Sequence, residues 1–261
     1  MEYAGGRLIT RVEGPIGWLV FNKPERLNAV CLDMWKSLPN AVDELDRRMD
    51  VRAVVVTGAG DRSFISGADI AEFERERCNA ATNVPFTAAV TAATKSIIAA
   101  TKPVIAAING YCIGGGVVIA SACDIRICTP ASRFAVPAAR LGLGYELDNY
   151  LRLSRLVGAG IAMEMVATGR HFTADEVHQA RFVNRIVPAD DLDRTVRQTV
   201  DQIAMGAPLT VAAAKMANRV AVDPSLASIA QQAIDVCFDS DDYKEGRAAF
   251  HDKRTPKFTG R

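Results

Sequence analysis

Apolar residues run almost unbroken through GWLVFNKP (Gly17–Pro24) and VRAVVVTGAG (Val51–Gly60), and each run is closed by Pro or Gly. Short, β-branched and bounded in this way, both are predicted to be buried strands. Between them the spacing changes. In LDMWKSLPNAVDELDRRMD the apolar positions Leu32, Trp35, Leu38, Val42 and Leu45 recur three and four apart, which predicts a helix with Asp43, Glu44, Arg47 and Arg48 in its solvated region. Strand, helix and strand make a βαβ unit and predict a parallel sheet.

Further along, Ile70 to about Asn79 is charge-rich and helical in pattern, and NAATNVP after it reads as a mobile loop. FTAAVTAATKSIIAATKP reads as a helix stopped before Pro103, and PVIAAINGYCIGGG as a buried strand running into glycines. CDIRICTPASRFAVP supplies two short strands around a turn, and from Asn149 onward the pattern is almost wholly helical, with one long segment over Thr210–Val222. The chain therefore divides into an alternating α/β part, up to about residue 145, and a helical remainder. It shows no repeat and no low-complexity linker.

Composition narrows the function. Lys plus Arg number 31 and Asp plus Glu 30, so no net field draws the chain to nucleic acid or to an acidic membrane. No uninterrupted apolar run reaches the roughly 18 residues of a membrane span, and MEYAGGRLITRVEG lacks the apolar core of a secretory signal, so a cytoplasmic location is expected. The six cysteines form no C-x-x-C pair and most sit in apolar stretches, which predicts reduced thiols rather than a disulfide framework or zinc site. The three histidines are scattered, so no metal site is expected.

Two glycine-bearing turns carry the chemistry. Gly114, Gly115 and Gly116 lie between a strand and a helix, where missing Cβ atoms let a ligand approach unpaired N–H groups at the helix start; tight strand–helix packing is the competing explanation. Neither a G-x-G-x-x-G after the first strand nor a P-loop is present. Ser66-Gly67-Ala68-Asp69 forms a second turn after the strand AVVVTG and is predicted to lead into a helix. Donors from two such turns, converging on one oxygen, stabilise an enolate or a tetrahedral oxyanion.

Five segments in this order, VFNKPERLNAV, VVVTGAGDRSFISGADI, KPVIAAINGYCIGGGVVIASACDIRI, FAVPAARLGLG and SDDYKEGRAAFHDKRTPKF, resemble the enoyl-CoA hydratase/isomerase (crotonase) superfamily over nearly the whole chain. The resemblance implies an α/β crotonase-like spiral of repeated ββα units over residues 1–200 and a helical trimerisation region over 201–261. It also implies a homotrimer or dimer of trimers, and an acyl-CoA thioester in which coenzyme A is part of the substrate, with no separate cofactor. By position, Ala68 and Gly115 supply the oxyanion-hole amides, and Lys23, Arg26, Ser66, Gly67, Asp69, Ile70 and Gly114 bind the substrate.

The sequence departs from that family's hydratases at two positions, where Val118 and Ala138 replace the glutamates that hold and activate water. Polar groups survive instead in GYELD. Glu146 matches the proton-shuttling acid of several family isomerases, which in related hydrolases and dehalogenases acts as acid or nucleophile. Tyr145 matches the tyrosine of methylmalonyl-CoA decarboxylase-like members. Taken simply as residues, Glu146 is also a helix N-terminal carboxylate, Asp148 a first-turn or N-cap residue, and Tyr145 a pocket wall with its hydroxyl satisfied by a neighbour. The expectation is an enolate chemistry with isomerase-like proton transfer by Glu146. Decarboxylation using Tyr145, literal hydration with non-standard acid and base, and a non-catalytic CoA-binding or assembly subunit are the alternatives. The acyl group itself is not legible, and LDMW, the Phe73–Phe86 region and the LGLGY loop are the candidate segments for shaping its pocket.

Overall fold

Through the middle of the chain, alternate strands are dealt to two different sheets in the computed structural model, which describes residues 1–69 and 78–261. The larger sheet holds seven strands. In spatial order they are β1 (Glu2–Tyr3), β2 (Leu8–Glu13), β3 (Ile16–Phe21), β4 (Ala53–Gly58), β6 (Val104–Ile108), β8 (Ile125–Cys128) and β11 (Arg185–Ile186). The smaller sheet holds β10 (Phe172–Thr173), β9 (Arg133–Ala135), β7 (Tyr111–Ile113) and β5 (Ser63–Ile65). Each of β4, β6 and β8 is thus followed by a short strand in the second sheet, and a helix leads back toward the first in the turn that follows β7. This is the spiral of ββα units that the resemblance implies.

The predicted βαβ unit is present: β3 and β4 pair in parallel, joined by helix α1 (Leu32–Arg47). Both faces of these strands are covered, which is why they read as continuous apolar runs rather than alternating ones. Period-two alternation still sorts their side chains. Leu19, Phe21, Val54, Val56, Val104 and Ala106 face the main core, whereas Ile16, Trp18, Val55, Ile105 and Ile127 face a second cluster closed by Val196 and Val200 of helix α7 (Leu192–Ala204). The stripe on α1 buries Leu32, Trp35, Leu38, Val42 and Leu45 as predicted, and packs on helix α2 (Ala80–Ala99).

Three expectations need correction. Asn79–Pro85 is not a loop: Asn79 is the N-cap of α2, its side chain accepting from Thr82 N while Thr82 Oγ1 accepts from Asn79 N. That reciprocal box outweighs the polar composition and the proline, which falls early in the helix. PVIAAINGYCIGGG is two strands, β6 and β7, not one. The break is at Gly110, with φ +72°, where a Cβ would stand 2.0 Å from Arg62 O. The helical remainder begins at α4 (Leu147–Val157) and carries the two short strands β10 and β11 between its helices. The helical pattern proposed from Ile70 falls mostly on residues 70–77, outside the described residues.

The remaining helices are α3 (Gly115–Ala122), α5 (Ala159–Thr168), α6 (Ala174–Gln179), α8 (Pro208–Val220), α9 (Ala227–Asp239) and α10 (Asp241–His251). Helix α8 is pinned to the spiral by Lys215, whose buried ammonium pairs with Asp124 at 2.8 Å and donates to the carbonyls of Ile97 and Lys102 at 3.1 and 2.9 Å. On the outer side of this region large apolar side chains stay exposed, Phe238 at 61% and Phe250 at 88%.

Candidate active site

The two glycine turns touch. A Cβ on Gly114 would lie 3.8 Å from Gly67 Cα, and one on Gly115 3.6 Å from the Gly67 carbonyl carbon, the atom bonded to Ala68 N. Both turns use backbone that side chains resist: Gly67 has φ +118° and Gly114 φ +50°. Gly116 answers to packing instead, since a Cβ there would stand 2.5 Å from Ile65 O in β5. The triple glycine therefore serves both the backbone turn and the strand–helix contact that the sequence offered as alternatives.

Hydrogen bonds fix the first turn around its free donor. Ser66 N donates to Leu27 O at 3.1 Å, Val30 N to Gly67 O at 2.8 Å, and Asp69 N to Val30 O at 3.0 Å. Ala68, between them, bridges Val30 in parallel, and its own N–H meets no acceptor among the described residues. Gly115 opens α3, so its N–H also has no intrahelical partner. Trp35 lies beneath it, with an edge carbon 3.1 Å from where a Gly115 Cβ would be, so LDMW does reach the site.

Asn28, which sequence reasoning passed over, organises this half. Fully buried and with φ +58°, it accepts from Lys23 N at 3.0 Å and donates to Ala59 O and Ser63 O at 2.9 and 2.7 Å. Its signal in the sequence was an Asn in an otherwise ordinary loop, indistinguishable there from a solvated turn residue. Of the predicted substrate-binding set, Lys23 Nζ pairs with Asp69 at 2.6 Å, both side chains largely buried. Arg26 is exposed, its guanidinium without a partner among the described residues, and its carbonyl accepts from Ser66 Oγ at 3.4 Å. Ile70 lies outside the described residues, as does Phe73.

The side-chain half lies on the next loop. Val118 and Ala138 are buried aliphatic residues, 5% and 8% exposed, and neither position offers a carboxylate. Glu146 is the N-cap residue of α4 but makes no capping bond. Its Oε1 accepts instead from Thr87 Oγ1 at 2.8 Å and Asn83 Nδ2 at 3.4 Å, both on α2. Asp148 is a first-turn acid of α4, as expected. Helix α3, which begins at Gly115, packs against both α2 and α4, so the bridge from Glu146 to Thr87 spans the two helices flanking it. A cavity of about 310 Å³ opens there, lined by Asn79, Asn83, Leu143, Glu146 and Leu147 among others.

Tyr145 lines the same cavity and packs against the core near Cys112 of β7, the strand that leads into Gly114. Its hydroxyl is buried with no hydrogen-bond partner among the described residues, against the expectation of a satisfying neighbour. Burial pushes its pKa up, an effect that nearby Arg152 only partly offsets, so the phenol stays neutral. Burial likewise raises the Cys112 thiol well above its ordinary value and those of Cys123 and Cys128 to about 12, leaving these cysteines as apolar filler rather than nucleophiles. All six cysteines are free, with Cys78 exposed and Cys237 half-buried.

Comparison with known proteins bears on the same arrangement. The family described as Enoyl-CoA hydratase/isomerase matches residues 11–261. A short-chain-enoyl-CoA hydratase of Clostridium acetobutylicum is 35% identical over 251 residues, covering 95% of each chain. A crotonyl-CoA hydratase of Syntrophomonas wolfei is 33% identical over 96% of this chain and 97% of its own. Among solved structures, an enoyl-CoA hydratase/carnithine racemase from Magnetospirillum magneticum superposes with a TM-score of 0.92 at 35% identity, over 98% of this chain and 96% of its own.

Proposed function

The chain belongs to the enoyl-CoA hydratase/isomerase family and is an enzyme of that superfamily, acting on acyl-CoA thioesters; from this premise we propose that it moves a proton along the acyl chain through an enolate. The Ala68 and Gly115 amides receive the thioester oxygen, and Glu146 is the acid and base. Each such oxyanion donor contributes about 3 kcal/mol to the transition state, which makes the carbon beside the thioester acidic enough for a carboxylate to deprotonate. With Val118 and Ala138 in place of the hydratase carboxylates, the site has no pair to activate water. One observation carries the reading: Glu146 forgoes the capping bond to its own helix, is held from α2 and lines a cavity, and the helix it caps packs against the one that Gly115 begins.

In the same reading Lys23, Arg26 and the Ser66–Asp69 turn line the coenzyme A portion of the substrate. Lys23 is neutralised by Asp69, so Arg26 is the better placed of the two to meet phosphate. We also assign the exposed apolar side of α9 and α10 to contacts between copies, in a homotrimer or dimer of trimers; light scattering that returns a monomer at micromolar concentration rejects this.

The test is turnover of 3-hexenoyl-CoA, followed by the absorbance of the conjugated 2-enoyl product, against hydration of crotonyl-CoA. Isomerisation abolished by Glu146→Gln supports the reading, and hydration at comparable rate by the unaltered enzyme sinks it. A second reading rests on Tyr145, whose neutral, unpartnered hydroxyl is free to donate toward an acyl carboxylate or the enolate left by loss of CO2. Conversion of methylmalonyl-CoA to propionyl-CoA, lost in Tyr145→Phe but not in Glu146→Gln, selects it.

A further inference from the structure

An N-cap carboxylate ordinarily accepts an N–H from the first turn of its own helix, and Glu146 declines that bond. Its Oε1 takes two donors from α2 instead, the Thr87 hydroxyl and the Asn83 amide. Asn83 Nδ2 also donates to Thr87 Oγ1 at 3.0 Å, closing a triangle of three groups. The polarity of that triangle is determined. An amide nitrogen only donates and a hydroxyl has one hydrogen, so a Thr87 oxygen that accepts from Asn83 must turn its own hydrogen to Glu146. The reversed amide would set a carbonyl oxygen against the carboxylate oxygen at the same 3.4 Å, which is repulsive. Glu146 Oε2 meets no partner among the described residues.

We propose that Thr87 and Asn83 are positioning residues that saturate Oε1 of Glu146 and so confine its proton traffic to Oε2. A proton arriving on Oε1 would face two hydrogens already aimed at that oxygen, whereas Oε2 accepts one without disturbing the triangle. In isomerisation Oε2 takes a proton from C2 of a 3-enoyl thioester, and the C–H electron pair moves into the thioester carbonyl as the enolate. The same oxygen then returns that proton to C4, the C3=C4 double bond becomes C2=C3, and the carboxylate is regenerated. Nothing is oxidised or reduced and no proton is lost. The signature in the sequence was slight, because N-x-x-x-T on one helix is common and its target lies 59 residues away.

This inference rests on the isomerase reading, and the experiment separates the two. Turnover of 3-hexenoyl-CoA is measured for the unaltered enzyme, Glu146→Gln, Thr87→Val, Thr87→Ser and Asn83→Ala, with melting temperatures for each. Loss of one hydrogen bond to a charged group predicts a fall in kcat of about tenfold for Thr87→Val, with KM changed less than about twofold. Thr87→Ser, which keeps the hydroxyl, is expected to return kcat to within about twofold of the unaltered enzyme. Asn83→Ala, which lets the hydroxyl rotate, is expected to lower kcat about threefold and serves if Thr87→Val does not fold. An unchanged kcat in Thr87→Val beside an inactive Glu146→Gln overturns the positioning role and leaves the base standing. Equal losses in Thr87→Val and Thr87→Ser mark a purely structural role and also overturn it. An active Glu146→Gln, or an unaltered enzyme that does not isomerise this thioester, removes base and positioning pair together.

Discussion

The glycine turns at Gly67 and Gly114 and the loop from Ala138 to Leu147 lie over the same strand and helix, β7 and α3, yet they are held in different ways. Backbone fixes the turns: the Leu27, Val30 and Gly67 carbonyls accept from Ser66, Asp69 and Val30, buried Asn28 ties in the preceding loop, and Gly110 and Gly116 sit where a Cβ would meet a carbonyl. The loop adds side-chain ties to its backbone turn: Leu141 N and Leu143 N donate to Ala138 O, Glu146 hangs on Thr87 and Asn83, and half-buried Tyr145 packs on the core with its hydroxyl unmet. A region specified by main-chain sterics tolerates almost no substitution. A region that leans on a few rotamers admits exchange of side chains more readily, and Ala138, at the start of this loop, is a buried aliphatic residue. In the proposed function the turns carry transition-state stabilisation and the loop carries the choice of reaction.

The largest effect that tests this contrast belongs to the backbone half. Gly110→Val adds a β-branched side chain at φ +72° and 2.0 Å from Arg62 O, and is expected to cost more than about 4 kcal/mol, read as loss of soluble protein or of the cooperative melt. A melting temperature like that of the unaltered enzyme contradicts the claim that this turn is sterically fixed. Glu146→Gln, in the side-chain half, is expected to lower isomerisation about 10²–10⁴-fold while leaving the melt in place. A variant that unfolds would place Glu146 with the structural residues instead.

Asn28→Ala removes one acceptor and two donors from a buried site, and an expected loss of about 2–3 kcal/mol in urea denaturation measures how far the turns depend on it. The smallest effect has the opposite sign. Tyr145→Phe deletes a buried, unpartnered hydroxyl and is expected to stabilise the fold by about 1 kcal/mol, visible as a higher urea midpoint. Destabilisation of similar size reveals a partner for that hydroxyl and withdraws its freedom to donate to a substrate.

Much of the scaffold could be read from pattern. The apolar runs at β3 and β4, the stripe on α1 and the glycines at 67 and 114–116 each carry a local physical requirement: burial on both faces, a 3.6-residue period, or backbone that a Cβ resists. Reading failed where two local signals conflicted. At Asn79–Pro85 polar residues and a proline argued for a loop, while the Asn79–Thr82 box and twelve following residues of buried periodicity through Ile97 made a helix. It failed again at β6 and β7, where the break is imposed by Arg62, a residue on a different part of the chain.

By itself, then, the order of amino acids determined the alternation of strand and helix, the two glycine-bearing turns, and the aliphatic residues at positions 118 and 138. These depend on residues a few positions apart, whose geometry the chain carries locally. Tertiary structure alone decided that Glu146 faces Thr87 and Asn83 rather than its own helix, that the Tyr145 hydroxyl is buried without a partner, and that Asn28 anchors the first turn. Those outcomes join residues 31 to 63 positions apart, and which rotamer such a side chain adopts is settled by neighbours that only the packed fold brings within reach.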